Sequence, residues 1–201
     1  MKARILSAAR KLFSEYGYDS TTTRMIAKEV GIDISTLYYH WGEKRDLYEA
    51  VLIDIDDEIR AKLKEIEKIA RGKPVDFRLN VAIDTMCNYF FEKPEASNII
   101  FFQYFGKTKF ESDADNSLSE YISNVAVAMG LALDKQNITP HAKARVAVVY
   151  LTMLNFFSGE HFLRPLLNLS RDEYLKVIKE TLRFILIPAF VNKPSQQNEE
   201  L

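Results

Sequence analysis

A short run from Ile34 to Trp41 concentrates polar and aromatic side chains that could contact a nucleic acid. If this run is helical, Leu37 and Trp41 point inward at i, i+4 spacing and the other side chains face outward. The outward set is Ile34, Ser35, Thr36, Tyr38, Tyr39 and His40. Tyrosine and histidine can donate to phosphate oxygens, and an aromatic edge or a threonine methyl can pack on thymine methyls. A face without acids favours contact with DNA; the alternative is an aromatic patch that packs on a neighbouring element or a partner protein.

The rest of the sequence offers little for catalysis or metal binding. It contains no HExxH, no Gly-x-Ser-x-Gly and no phosphate-binding glycine loop, and only seven glycines. His141 and His161 are not spaced as a ligand pair. The acid-rich stretch from Asp113 has Leu118 where a calcium loop needs glycine. We therefore expect no enzymatic activity, no cofactor and no metal.

Three predicted helices must position the face at 34–41. The first has an apolar side that consists of Ile5, Ala9, Leu12, Phe13 and Tyr16, and it stops at Gly17. The second begins after the threonines at 21–23 and ends at Gly31, which can take a positive φ without a Cβ clash. Asp33 is a suitable N-cap for the third. Two short helices joined by a tight glycine-containing turn, packed on a preceding helix, predict a helix-turn-helix.

Helical periodicity continues through the remainder of the chain, which predicts an all-α fold. An apolar stripe at i, i+4 spacing predicts one long helix from Lys44 to Ala70, ended by Gly72 and Pro74. Further helices are expected at about 75–91, 95–106, 116–133, 140–163 and 171–190. The segment 146–157 is apolar around its whole circumference, so we expect it in a core or against a second subunit. The polar residues 192–201 are predicted to form a flexible tail.

Composition and charge bound the class of protein. The 201 residues are 47% hydrophobic and 27% charged, which is typical of a globular chain. No apolar run approaches the roughly 20 residues of a membrane span, and the first residues are charged, so we expect a cytoplasmic protein with no membrane partner. The single cysteine, Cys87, excludes an internal disulfide. The net charge is −1, yet residues 1–48 carry eight basic against six acidic residues, which permits nucleic-acid binding without demonstrating it.

The stretch from Ile5 to Leu52 resembles the N-terminal domain of the tetracycline-repressor (TetR) family of bacterial regulators. The matching residues are Ala8-Ala9, Leu12-Phe13, Gly17-Tyr18, Thr21 to Ala27, Val30-Gly31-Ile32, Leu37 to Trp41 and Lys44 to Leu47. Trp41 stands where a phenylalanine is commonest. The resemblance implies a three-helix DNA-binding head at 1–48 that is joined by a long helix to a C-terminal helical effector-binding and dimerisation bundle at 49–191.

The resemblance also assigns roles to nine residues of the head. Phosphate contacts are implied for Thr22, Thr23, Tyr38, His40 and Lys44, and base contacts for Arg24, Ser35, Thr36 and Tyr39. The free N–H groups at a helix start favour an anion, which agrees with the phosphate assignments. Two alternatives stay open from the residues alone: Arg24 could pair with Glu29 or Asp19, and Lys44 could simply cap a helix.

An aromatic cluster in the body could line a pocket for a small apolar or amphipathic effector. The tentative ligand-binding set is Asn88, Phe101, Phe102, Phe105, Asn155 and Phe156. A polar group among aromatic rings can orient a ligand, although a satisfied core network or an exposed position explains the same polar residues.

The last two helices are expected to form a homodimer interface as a four-helix bundle. The candidate interface residues are Val146, Val149, Met153, Tyr174, Ile178 and Ile185. The predicted function is a ligand-responsive repressor that binds a palindromic operator in double-stranded DNA as a dimer. A constitutive DNA-binding regulator without an effector and a helical interaction module remain as alternatives.

Overall fold

The computed structural model describes residues 1–105 and 113–191, and every regular element in these ranges is a helix. The N-terminal helices are α1 (Lys2–Ser20), α2 (Thr23–Val30), α3 (Ile34–Trp41) and α4 (Lys44–Ala70). The following helices are α5 (Val75–Glu92), α6 (Pro94–Phe105), α7 (Asp113–Ala128), α8 (Pro140–Ser158), α9 (Glu160–Leu166) and α10 (Arg171–Val191). The all-α prediction is confirmed. The predicted tail at 192–201 lies outside the described residues.

The head (α1 to α3) forms as the sequence predicts, with one exception on α1. Ile5, Ala9 and Phe13 are buried as expected, whereas the Tyr16 side chain is 51% exposed. Gly17 breaks α1 with a φ of 74°, which turns the chain before the residues that lead to α2. The apolar face of α1 therefore ends one turn earlier than the sequence pattern suggests.

Helix α4 joins the head to the body (α5 to α10). Its side chains Leu47, Val51, Ile55 and Ile59 are buried, so the predicted stripe faces inward. The hydrophobic core is continuous from Ile5 in α1 to Leu186 in α10. The predicted domain boundary after residue 48 falls inside α4 and stays a prediction.

Two predicted helices of the body differ from the observed ones. The helix expected at 116–133 ends at Ala128, where Gly130 turns the chain with a φ of 70°. The helix expected at 140–163 is divided at Gly159 into α8 and α9, which are bent by 76° relative to each other. A Cβ on Gly159 would lie 2.7 Å from the carbonyl oxygen of Asn155, so the close backbone approach at this bend requires glycine.

Four of the six predicted interface residues belong to the core of the single chain. Val146, Met153, Tyr174 and Ile178 are each at most 6% exposed. Their periodicity correctly indicated burial, but the buried faces pack within the chain because α10 lies against α5 and α8 lies against α6. Ile185 is 52% exposed and remains available for an interface.

Within the described ranges, no single helix combines the length and apolar character of a membrane span. One bent pair, α8 with α9, reaches these limits only when the two are joined.

Candidate nucleic-acid interface and internal cavity

The turn between α2 and α3 fixes the position of the predicted recognition face. Gly31 adopts a φ of 74° and a ψ of 43°, and its N–H donates to the carbonyl of Lys28. The N–H of Ile32 donates to the carbonyl of Ala27 at 3.0 Å, which closes the end of α2. Asp33 is the N-cap residue of α3, as predicted, but its side chain accepts no capping hydrogen bond. Asp33 therefore occupies the predicted N-cap position, but its carboxylate does not cap the helix.

The nine predicted DNA contacts fall on the surface of the head. Ser35, Tyr38 and Tyr39 are exposed on α3, and the ring of Tyr39 is 85% exposed. Thr22 and Arg24 are exposed at the start of α2. The other four predicted contacts are half-buried: Thr23, Thr36, His40 and Lys44. Because Tyr39 is so exposed, its side chain contributes little to the stability of the fold and is available to a partner.

Contacts between α2 and α3 hold part of this face in place. The hydroxyls of Thr23 and Tyr38 lie 3.3 Å apart, and the Thr22 hydroxyl accepts from the N–H of Met25 at 3.2 Å. The ring centroids of Tyr39 and His40 are 5.2 Å apart in an edge-to-face arrangement. The start of α2 is therefore capped by Thr22 and held against the middle of α3 through Thr23 and Tyr38, which are residues that the sequence predicts to contact DNA.

Lys44 has a structural role that the sequence left as an alternative. Its Nζ donates to the carbonyls of Tyr18 at 2.9 Å and Thr21 at 3.1 Å, and it lies 4.1 Å from the centroid of the Tyr18 ring. These contacts join the first turn of α4 to the last turn of α1 and to Thr21, which follows it. Two of its three donors are therefore directed at the backbone, and one remains for a phosphate.

A cluster of charges joins the head to the body. Nη1 of Arg10 lies 2.8 Å from Asp54, Nη2 lies 2.8 Å from Glu58, and Nε lies 3.3 Å from Glu95. Glu58 also accepts hydrogen bonds from Lys93 and from the Tyr89 hydroxyl. Helices α1, α4, α5 and α6 meet at these side chains.

The pKa values of the cluster follow from burial and pairing. Burial acts to raise the pKa of Glu58, but the hydrogen bonds from Arg10, Lys93 and Tyr89 outweigh it and bring the pKa to about 2. Burial acts to lower the pKa of Arg10, and the paired carboxylates raise it above its usual value. Both partners are therefore charged at neutral pH.

A cavity of about 110 Å³ that is partly open to solvent lies among α4, α6, α7 and α8. Its apolar lining is Leu52, Ile55, Ile59, Leu63 and Ile100, and its polar and aromatic lining is Asp56, Arg60, Gln103, Tyr104, Glu120, Tyr121, Asn124 and Tyr150. Six of these residues belong to α4, the helix whose first turn carries Lys44.

Gln103 connects this cavity to the core of the head. The Tyr48 hydroxyl donates to Oε1 of Gln103 at 3.2 Å. The ring of Tyr48 lies 4.9 Å from the rings of both Phe13 and Tyr18. The Tyr18 ring in turn lies under Nζ of Lys44. A continuous series of contacts therefore runs from the cavity to the surface of the head.

The six residues that the sequence analysis predicts to bind a ligand are not among the residues that line this cavity. Asn88 accepts from Nζ of Lys179 at 2.7 Å, and the Asn155 amide donates to the carbonyl of Leu151. The Phe102 ring packs on Gly17, and its side chain contributes to the contact between α6 and the head. The remaining members are Phe101 and Phe105, whose rings lie 4.6 Å apart, and Phe156, which is half-buried. Asn88 and Asn155 are both exposed, and each makes a hydrogen bond within the chain, which agrees with the exposed position that the sequence left as an alternative.

Sequence reasoning missed Arg10, Tyr48 and Gln103. Arg10 lies three residues before Phe13 on a face that is otherwise apolar, and such a position signals a buried charge that needs a partner. Asp54 and Glu58, spaced i, i+4 on α4, were the matching signal. Gln103 carried no comparable signal, since a lone amide among aromatic residues has many uses.

Comparison with known proteins finds a family match that is confined to the N-terminal quarter of the chain. Residues 5–51 match the model of the bacterial regulatory proteins of the tetR family. The negative transcriptional regulator IcaR of the biofilm operon icaADBC, from Staphylococcus aureus strain Newman, is 51% identical over 49 residues. That alignment covers 24% of this chain and 26% of IcaR, so it spans about a quarter of the relative.

Solved structures resemble the whole chain in fold. A TetR-like transcriptional regulator from Rhodococcus sp. RHA1 has a TM-score of 0.70 at 16% identity, covering 95% of this chain and 96% of that one. AibR, solved in complex with isovaleryl coenzyme A and operator DNA, has a TM-score of 0.69 at 17% identity over 90% of this chain and 96% of its own. The head is thus similar in sequence to the tetR family of bacterial regulatory proteins, and the whole chain is similar in fold to these solved structures.

Proposed function

We propose that this protein is a cytoplasmic, ligand-responsive transcriptional repressor that binds a palindromic operator as a homodimer. The observation that carries the proposal is the position of α4. Its first residue, Lys44, is bonded to the head, and its residues from Leu52 to Leu63 line the cavity. A ligand that displaces α4 in the cavity must therefore move or strain the head.

DNA contact is supported by the exposed face of α3. Tyr39 projects from its last turn, and Ser35 is exposed one turn earlier. A recognition helix of this kind enters the major groove, where hydroxyl groups and aromatic edges reach base edges. The exposed Arg24 adds a cation beside that face. The match to IcaR, a negative regulator, supports repression.

Dimerisation is supported by apolar side chains left exposed on the last helices. They include Val148 on α8, Phe162 and Leu166 on α9, and Phe184 and Ile185 on α10. Phe184 is 81% exposed, and so large an apolar side chain favours an interface. A two-fold dimer would present two copies of α3 to half-sites roughly 34–36 Å apart.

Coupling between ligand and DNA follows from the contacts of Gln103. Because Gln103 lines the cavity and accepts from Tyr48, a ligand that engages its amide disturbs the packing of Tyr48 on Phe13 and Tyr18. The ligand lowers DNA affinity only to the extent that it binds the two arrangements of the head unequally. AibR, which holds an acyl-coenzyme A and operator DNA, provides a precedent for two such sites on this fold.

The test is selection of random duplex DNA on the purified full-length protein, with Tyr39→Ala as the matched variant. We expect the unmodified protein to enrich one palindrome at moderate salt and the variant to enrich it weakly. The absence of any enriched sequence with the unmodified protein would overturn the assignment as a sequence-specific regulator.

A further inference from the structure

We propose that the cavity selects a small organic cation with a single aromatic ring. The inference rests on the proposed function, because it names the class of effector that the repressor would sense. Three properties of the lining carry it: its charge, its tyrosine rings and its size.

The charge of the lining is negative. Among the described residues, the ionised side chains at the cavity are Asp56, Arg60 and Glu120, two carboxylates against one guanidinium. Nε of Arg60 lies 2.6 Å from Asp56, and its Nη1 lies 3.8 Å from Glu120. The single cation is thus directed at acids of the protein, and Asp56 holds it more closely than Glu120 does. A ligand carboxylate would meet two acids here, whereas an ammonium group would meet a partly compensated Glu120.

The tyrosine rings of the lining suit a cation with an aromatic body. The ring of Tyr150 lies 5.4 Å from that of Tyr121 and 6.3 Å from that of Tyr104, to which it is perpendicular. Burial raises the pKa of Tyr121 to about 12, and burial and the neighbouring rings raise that of Tyr150 well above its usual value. The phenols therefore stay neutral. Neutral tyrosine faces attract cations and stack with aromatic rings.

Two hydroxyls at the cavity are available to a ligand. In the part of the chain that the structure describes, the hydroxyls of Tyr121 and Tyr150 make no hydrogen bond with another residue. Oε1 of Gln103 already accepts a hydrogen bond from Tyr48, so the amide N–H groups of Gln103 are the ones that can donate to a ligand. These groups can fix the position of a polar substituent on a ring.

The size of the cavity limits the body of the ligand to about one ring. Its volume of about 110 Å³ is comparable with apolar cavities of about 150 Å³ that admit benzene. Leu52, Ile55 and Ile59 form an aliphatic surface for such a ring. The Glu120 side chain is 55% exposed, which places the attraction for the ammonium at the solvent side.

Three probes of the same shape and different charge test the inference. Benzylamine, benzyl alcohol and benzoate would each be titrated by calorimetry onto the full-length protein without DNA, up to the solubility limit. We expect benzylamine to bind most tightly and benzoate least. Glu120→Gln should weaken benzylamine about fivefold, as expected for a partly exposed ion pair, and leave benzyl alcohol unchanged. The matched control, Glu180→Gln on the exposed surface of α10, should change neither.

Several outcomes would overturn the inference. Benzoate binding as tightly as benzylamine, no binding of any probe, or equal weakening by both glutamate variants would each contradict a cation-selective cavity. DNA binding is measured separately on the same preparations. If the protein binds its operator but not benzylamine, this inference is overturned and the proposed function stands. If it binds benzylamine but enriches no operator, the proposed function is overturned and the selectivity of the cavity stands.

Discussion

Arg10 on α1 and Glu58 on α4 form an ion pair at 2.8 Å in which the arginine side chain is only 9% exposed. The pair crosses from the head to the helix that lines the cavity. A buried charge of this kind is stabilising only while its partners are present, because its loss leaves the opposite charge uncompensated.

Replacing Arg10 should therefore cost much more than replacing its neighbour. We expect Arg10→Met to lower the free energy of unfolding by about 3 kcal/mol, since Asp54, Glu58 and Glu95 would lose their shared cation. Lys11→Met removes an exposed pair with Glu29 and should have a much smaller effect on the free energy of unfolding. Urea unfolding followed by circular dichroism measures both, and equal costs would show that burial of Arg10 is unimportant.

The pH dependence of stability should report Glu58. Its pKa is about 2 in the folded chain against 4.5 without the fold, so its stabilisation is complete above the unfolded pKa and is lost as the pH falls towards 2. We expect about 2 to 3 kcal/mol to disappear between roughly pH 5 and pH 2. In Glu58→Gln this part of the loss should vanish. A parallel decline of both proteins over that range would refute the assignment.

Glu43 and Asp46 form a capping box at the start of α4. Alanine substitutions of Gly42 and Gly72, one beside this box and one far from it, test its contribution to stability. Both have a φ of 72°, so alanine is strained at either position. A Cβ at Gly42 would lie 2.5 Å from Oδ2 of Asp46, the oxygen that accepts from the N–H of Glu43, whereas a Cβ at Gly72 meets nothing within 4 Å. We expect Gly42→Ala to cost about 1 kcal/mol more than Gly72→Ala, because the cap is displaced as well. Thermal unfolding of the two variants gives the difference, and a larger loss in Gly72→Ala would be inconsistent with it.

Tyr39 should affect recognition without affecting the fold. Because its ring is 85% exposed, Tyr39→Ala should leave the unfolding temperature unchanged and reduce preference for the selected operator about tenfold over scrambled DNA. Fluorescence anisotropy with both duplexes measures this ratio. Tyr16→Ala, at a half-exposed tyrosine of α1, is the control and should keep the ratio. An unchanged ratio in Tyr39→Ala would remove Tyr39 from the recognition surface.

Phe184 tests the proposed dimer. A glutamate at this exposed position on α10 would place a charge in the interface, so Phe184→Glu should sediment as a monomer and lose high-affinity operator binding. Phe77→Glu, at a 42% exposed position on α5, should remain a dimer. If Phe184→Glu remains a dimer at micromolar concentration, the dimer interface does not include Phe184.

Local sequence signals predicted the head well because its geometry depends on neighbouring residues. Gly31 takes the positive φ that its position in the turn required, and Leu37 is buried as its spacing from Trp41 indicated. The division of the last apolar stretch at Gly159 was missed, because a glycine next to a serine does not by itself specify a bend of 76°. The assignment of Val146 and Tyr174 to an interface was wrong for a related reason: periodicity shows that a face is buried but not what buries it.

The sequence by itself determined the helical class, the helix-turn-helix and the exposed chemistry of α3, since each depends on residue types within a few turns of one another. Tertiary structure decided which distant side chains meet. Only the packing of α1 against α4 and α6 brings Arg10 to Asp54, Glu58 and Glu95. Only the packing of α4 and α6 brings Gln103 to both Tyr48 and the cavity. These contacts join residues between 44 and 85 positions apart, and no local propensity encodes a pairing over that separation.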